Sequence, residues 1–214
     1  MTKLGLLAAI ALAMSCTGAI ADVVISTDAT ENMVCSGGVC APTATQAVLN
    51  ATDLDNYIAQ NGKVMVTTKG ANVNAGRLFI DAPLSWDNAT LTLDAQNGIA
   101  VNAAVSAGAT SADLQIRFEH GNALKKVSSG PHGHITFASL SDQFSMDGRK
   151  FKLVNSIEGL EKAMHRHPTG TYGGVTGLTT SQFQSGLPVG FDPKIWAEEA
   201  NVNNGLPYLT ANPP

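Results

Sequence analysis

Two tight histidine pairs, His132-Gly133-His134 and His165-Arg166-His167, are the residues whose type and spacing best suit metal binding. On an extended strand, an i,i+2 spacing turns both imidazoles to one face, which is half of a zinc or copper site. Their surroundings argue otherwise. Gly130, Pro131 and Gly133 predict a loop around the first pair, and the second pair ends a helical pattern, where i,i+2 side chains diverge. Polar and cationic side chains at a helix C-terminus already have an electrostatic reason to be there. We therefore read His132, His134, His165 and His167 as structural, with His120 standing alone, and expect neither a metal nor any other cofactor.

A second set is Asp81, Asp94 and Asn102, a row of the kind that binds calcium or serves a polysaccharide-cleaving enzyme. Each closes a strand-like phrase: Leu78-Phe79-Ile80-Asp81-Ala82, Leu91-Thr92-Leu93-Asp94-Ala95 and Ile99-Ala100-Val101-Asn102-Ala103. That shared position predicts corners, where Asp and Asn side chains bond nearby backbone. The chain contains no Ser-His-Asp order, P-loop, Rossmann glycine pattern or HExxH. No catalytic residue is assigned, and we expect a protein that is not an enzyme. Trp86, Trp196, Phe79, Phe118, Phe137 and Tyr172 could stack on sugars. Packing is expected for most of them, and Tyr172, flanked by Gly170 and Gly173, is the ligand-binding candidate.

Cys35 and Cys40 enclose Ser-Gly-Gly-Val, and we expect a disulfide that closes a small glycine-rich loop. A redox or metal pair would call for the tighter C-x-x-C spacing and, for zinc, a second cysteine pair.

The elements that must position these residues follow from the repeated phrase. In each copy two aliphatics flank a variable residue, so both point to one face of a strand before the chain turns. Repetition of this kind stacks similar rungs, each covering its neighbour's apolar face. The phrases start 13 and 8 residues apart, so they are read as sides of coils and not as whole coils. Upstream, Thr52 as cap, Leu54 and Ile58 on one face and Asn61-Gly62 as the stop predict a helix over 52–60. It would cover one open end of the stack. Alternation and β-branching predict a strand over 63–68, and 114–118 and 135–137 continue the series. Lys152-Leu153-Val154 reads as a strand followed by a helix capped by Asn155 or Ser156 and ended by Pro168. Thr179 or Thr180 can cap a further short helix near Phe183.

Residues 1–21 read as a secretory signal: Lys3, an apolar run over 4–14, then small residues ending at Ala21. The competing reading is a lipid anchor on Cys16, because Leu12-Ala13-Met14-Ser15-Cys16 resembles a bacterial lipoprotein processing site. No later segment has the roughly 20 apolar residues of a membrane helix. Charged residues are 14% of the chain and the formal charge is −4, with no Lys/Arg stripe, so nucleic acid is not an expected partner. The expected organisation is a signal peptide (1–21), an N-terminal segment with the Cys35–Cys40 loop (22–44), and a mostly β solenoid with helix insertions (45–214).

Several stretches in this order resemble the filamentous-haemagglutinin-like secreted adhesins of Gram-negative bacteria. They include Ala47-Val48-Leu49-Asn50, Gly62-Lys63-Val64-Met65-Val66-Thr67-Thr68, Ile80-Asp81-Ala82-Pro83-Leu84-Ser85-Trp86 and Ala89-Thr90-Leu91-Thr92-Leu93-Asp94-Ala95. Phe151-Lys152-Leu153-Val154-Asn155-Ser156 and Leu206-Pro207-Tyr208-Leu209 extend the likeness over roughly 41–212. The Asn-Pro-Asn-Leu motif of two-partner secretion domains does not occur in the chain. The resemblance implies a right-handed parallel β-helix with short covering α-helices, and adhesion to a surface glycan or protein. Unpaired ends of such a solenoid invite end-to-end self-association. A carbohydrate-active β-helix enzyme acting on acidic polysaccharide and a purely structural envelope protein are the alternative readings.

Overall fold

Short runs of alternating aliphatic and polar residues, cut every few positions by Asp, Asn, Gly or Pro, leave this chain no length for long strands or helices. It forms two- to six-residue strands, most of which turn, recur and stack. The computed structural model describes residues 22–73, 76–118, 126–166, 172–174, 187, 193–202, 205 and 207–211. The expected signal segment with Cys16, His120, His167 and the helix near Phe183 lie outside the described residues.

In chain order the elements are β1 (Asp22–Ser26), β2 (Met33–Ser36), β3 (Val39–Pro42), β4 (Gln46–Asn50), α1 (Ala51–Asn61), β5 (Lys63–Thr67), β6 (Arg77–Ile80) and β7 (Leu84–Trp86). They continue with β8 (Thr90–Ala95), β9 (Gly98–Val101), β10 (Ala104–Ala107), β11 (Asp113–Phe118), β12 (Lys126–Ser129), β13 (His134–Phe137) and β14 (Phe144–Met146). The last are β15 (Arg149–Val154), α2 (Ile157–Arg166), β16 (Tyr172–Gly174), β17 (Trp196–Ala197) and β18 (Tyr208–Leu209).

Three stacks result. The first runs β12-β9-β6-β1-β4, the second β13-β10-β7, and the third β16-β15-β14-β11-β8-β5-β3-β2. From β5 onward the chain visits the third, first and second stacks in rotation, with parallel pairing between successive coils. The protein is a parallel β-solenoid of about 4 turns.

The repeated phrases occupy the places their spacing predicts. Leu78 and Ile80 pair with Ile99 and Val101 in the first stack, one coil apart. Leu91 and Leu93 sit in the third stack, between Val64 and Val66 on one side and Leu114 and Ile116 on the other. All ten of these side chains are buried, and they form ladders along the axis. Each apolar residue is covered by its counterpart in the neighbouring coil, which is how short strands reach full burial.

Among the described residues, strands of the solenoid stacks occur from Asp22 onward. β1 lies between β4 and β6, so residues 22–44 supply a rung of the first stack and the outer hairpin of the third. Val23-Val24-Ile25 is too short a run to show which stack it joins; Val23 and Ile25 are fully buried there.

The N-terminal end is closed by three different devices. On the first stack, Glu31 bridges the outer edge of β4, exchanging N–H···O bonds with Val48 at 2.9 and 2.8 Å. On the second, α1 packs against β7 as well as β4 and β5. Its cap is Asn50, not Thr52: the Asn50 side-chain oxygen accepts from Thr52 and Asp53 N–H, and its amide donates to the Thr27 and Asp28 carbonyls. An asparagine has two N–H groups to give beside its acceptor oxygen, where a threonine hydroxyl has a single proton. Leu54 and Ile58 are buried, and Gly62 at φ 68° ends the helix as expected.

The third stack ends in the β2–β3 hairpin, whose central residues Gly37 and Gly38 have φ of 58° and 80°, as a two-residue I′ turn requires. Cys35 and Cys40 lie opposite each other in it and are disulfide-bonded. The Gly38 N–H donates to the Tyr57 hydroxyl at 3.0 Å, tying hairpin to helix. Replacing both cysteines by alanine is expected to lower stability by about 2 kcal/mol, the value for so short a closed loop. Urea unfolding of the oxidised protein and the variant measures it.

Between α1 and β7, Asp55 is half-buried, and burial pushes its carboxyl above the ordinary 3.8 despite a hydrogen bond with the Ser85 backbone. The folded form therefore has full stability below pH 3.8 and loses some as pH rises through the raised value. Asp55→Asn keeps an acceptor without the charge. It is expected to raise Tm at neutral pH, with the gain vanishing below pH 3.8; an equal gain at both pH values would refute the assignment.

At the other end, β15 pairs antiparallel with β14 and parallel with β16, and α2 packs on β15. The strand and covering helix expected there are present, and β16 adds a strand that the sequence reading did not include. Ser156 caps the helix, its hydroxyl accepting from the Gly159 N–H at 3.0 Å.

Candidate functional site

Because side chains alternate along each strand, the outward positions of the third stack line up across the coils. Register places Met65, Thr92, Gln115, Ser145 and Lys150 in one row, perpendicular to the strands. Spacing between neighbours in such a row is about 4.8 Å. The row runs into a groove of about 310 Å³ between β11, β14, β15 and the loop before β14. Gln115, Ser145, Lys150 and Lys152 line it, with Phe144 and Phe151 beside them and Leu140, 50% exposed, on the loop.

The pair of aromatic residues has a simple origin. Phe144 stands where Leu91 and Leu114 stand in earlier coils, but the last coil has only the antiparallel β15 above it. The Phe144 and Phe151 rings meet at a tilt of 37° with centroids 4.6 Å apart, and the Phe137 ring lies 5.5 Å from that of Phe144. Phe137 is buried, whereas Phe144 and Phe151 are only half-covered. Both rings belong to the inward set of these strands, and the outward row gives the groove amide and hydroxyl groups and two ammonium groups.

The loop wall is held by Asp142. This buried carboxylate accepts from the Ala112 N–H and the Ser139 N–H, both at 3.1 Å. Other acidic groups do similar work at the corners. Asp113 accepts from Gln143 N–H at 2.9 Å, Asp147 from Phe118 N–H at 2.9 Å, and Asp81 from the Asn102 amide at 2.7 Å. Asp81 and Asn102 thus are the expected corner residues, stacked one coil apart. Asp94 is not: it lies within β8, between Thr67 and Arg117 of the adjacent coils. The strand continues to Ala95 because Ala95, like Leu93, is buried on the inner face. The three residues therefore do not converge.

His132 and His134 are both exposed, His132 in the turn before β13 and His134 at its first position. The His134 ring turns back on its own loop, its Nδ1 donating to the His132 carbonyl at 3.1 Å. Among the described residues no group of three or more His, Cys, Asp or Glu could hold a metal ion. Gly133 between them has a packing reason: a Cβ there would overlap the Val101 carbonyl, under which the Gly130–Gly133 turn closes. Gly133→Ala is expected to cost about 2–3 kcal/mol by forcing backbone apart, measurable by thermal unfolding. His132→Ala should be near neutral.

The side chains of His165 and Tyr172 lie outside what is described, although their backbones belong to α2 and β16. Trp86, Phe118 and Phe137 are buried in the core, and Phe79 carries Arg77 over its ring at 4.6 Å. Trp196 is half-buried and pairs with Leu209 in the small β17–β18 ribbon. Phe144 and Phe151 escaped sequence reading because a half-open ring at the end of a stack looks like any other core aromatic. The only signal was Arg149-Lys150-Phe151-Lys152, charge alternating with an aromatic.

No protein-family model, curated protein or solved structure matches this chain. The adhesin likeness therefore rests on the segments quoted above together with the solenoid.

Proposed function

We propose that this chain is an exported, adhesin-like module that binds through the surface of its solenoid and does not catalyse a reaction. The observation that carries the reading is the groove at the end of the third stack, where the outward polar row ends in Lys150 beside Lys152. The corner carboxylates support it, since Asp81, Asp113, Asp142 and Asp147 each accept hydrogen bonds that shape turns. The Cys35–Cys40 disulfide agrees with an oxidising destination. Among the described residues no helix is long and apolar enough to cross a membrane.

Glycan-array and whole-cell binding by the purified chain test the reading. Saturable binding without release of reducing sugar is the expected result. Turnover of an acidic polysaccharide would replace the module by the enzyme alternative, and silence in both assays would leave a purely structural role.

A further inference from the structure

We propose that the groove between β11, β14 and β15 takes a carboxylate-bearing saccharide, a short segment of a uronic-acid polymer; this rests on the binding-module reading above. The first support is the distribution of charge along the axis. Residues 22–113 contain nine Asp or Glu and three Lys or Arg, whereas residues 114–166 contain five and eight. An acidic protein has thus gathered cations in the coils that form the groove, and Lys150 and Lys152 line it from alternate positions on one face of β15.

The second support is what lies beside the lysines. Lys150 pairs with Ser145 across β14–β15, and Ser145 with Gln115 across β11–β14, so two neutral groups continue the row. These suit sugar hydroxyls, which both donate and accept hydrogen bonds. The carboxylate that lines the groove, Asp142, is buried with both oxygens held by backbone N–H groups, so it shapes the wall. A volume of about 310 Å³ falls in the range of small-ligand sites and admits a short saccharide.

Titration calorimetry with oligogalacturonate, a neutral malto-oligosaccharide and dextran sulfate tests this. Oligogalacturonate should bind with an affinity that falls as salt rises. Lys150→Ala/Lys152→Ala, at exposed positions, should weaken it about tenfold or more with unchanged circular dichroism. Lys63→Ala, at the far end, should not. Gln115→Ala should weaken oligogalacturonate specifically. No binding of oligogalacturonate, or binding untouched by the double variant, overturns the proposal. Dextran sulfate bound equally well and indifferent to Gln115→Ala overturns it too, by reducing the site to a polyanion patch. Neutral saccharide bound undiminished by the double variant overturns it while the binding-module reading survives; failure on the glycan array as well removes both.

Discussion

Leu91→Ala is expected to destabilise the protein by about 3–4 kcal/mol, within the range for a buried leucine truncated in a core that collapses only partly. Leu91 is fully buried in β8, between Val64 of β5 and Leu114 of β11. Both neighbours are held by parallel ladders on their other sides, so neither can move into the space without breaking its own register. Thr92, one position along, points outward, and Thr92→Ala should change stability by less than about 0.5 kcal/mol. Urea unfolding of the two variants gives the comparison. Similar losses from both would mean that the inward and outward sets have been misassigned and that the ladder does not exist.

Asp142→Ala is expected to cost about 2–3 kcal/mol, because it strands the backbone N–H of buried Ala112 and that of half-buried Ser139. Asp142→Asn keeps one acceptor oxygen and should recover about half of the loss. The pattern separates a structural carboxylate from a catalytic one. A corner residue loses stability in proportion to the acceptors removed, while a catalytic residue would lose turnover with stability intact. Thermal unfolding of the three proteins, run beside the reducing-sugar assay, reads both. The same substitutions should weaken oligogalacturonate binding, since Asp142 fixes the loop that carries Leu140 and Gln143 into the groove.

The groove illustrates why a site of this kind escapes sequence reading. Histidine pairs draw attention because metal ligands have a local spacing, and here that spacing was misleading: Gly133 between the histidines answers to the Val101 carbonyl. The groove's residues have no such spacing. Gln115 and Ser145 become neighbours only because a whole coil returns to one register, and Lys150 joins them across the β14–β15 hairpin. Asp94 shows the same limit from the other side. Its phrase is nearly identical to that of Asp81, yet one lies in a strand and the other at a corner, a difference set by whether the next residues can bury another rung.

The periodicity of this chain was by itself enough to determine the coil. Paired aliphatics before Asp or Asn require a strand with one dry face, and repetition at that length requires stacking, because a four-residue strand has no other way to hide that face. The α1 stop at Gly62 and the cysteine-closed glycine turn were equally local, since φ above zero and a short cross-link depend on residues a few positions apart. Only the tertiary structure decided the order of the rungs, the insertion of β1 between β4 and β6, and the meeting of lysines, amides and rings at the far end. Those depend on how many residues each loop spends between coils, and loop length leaves no periodic trace along the chain.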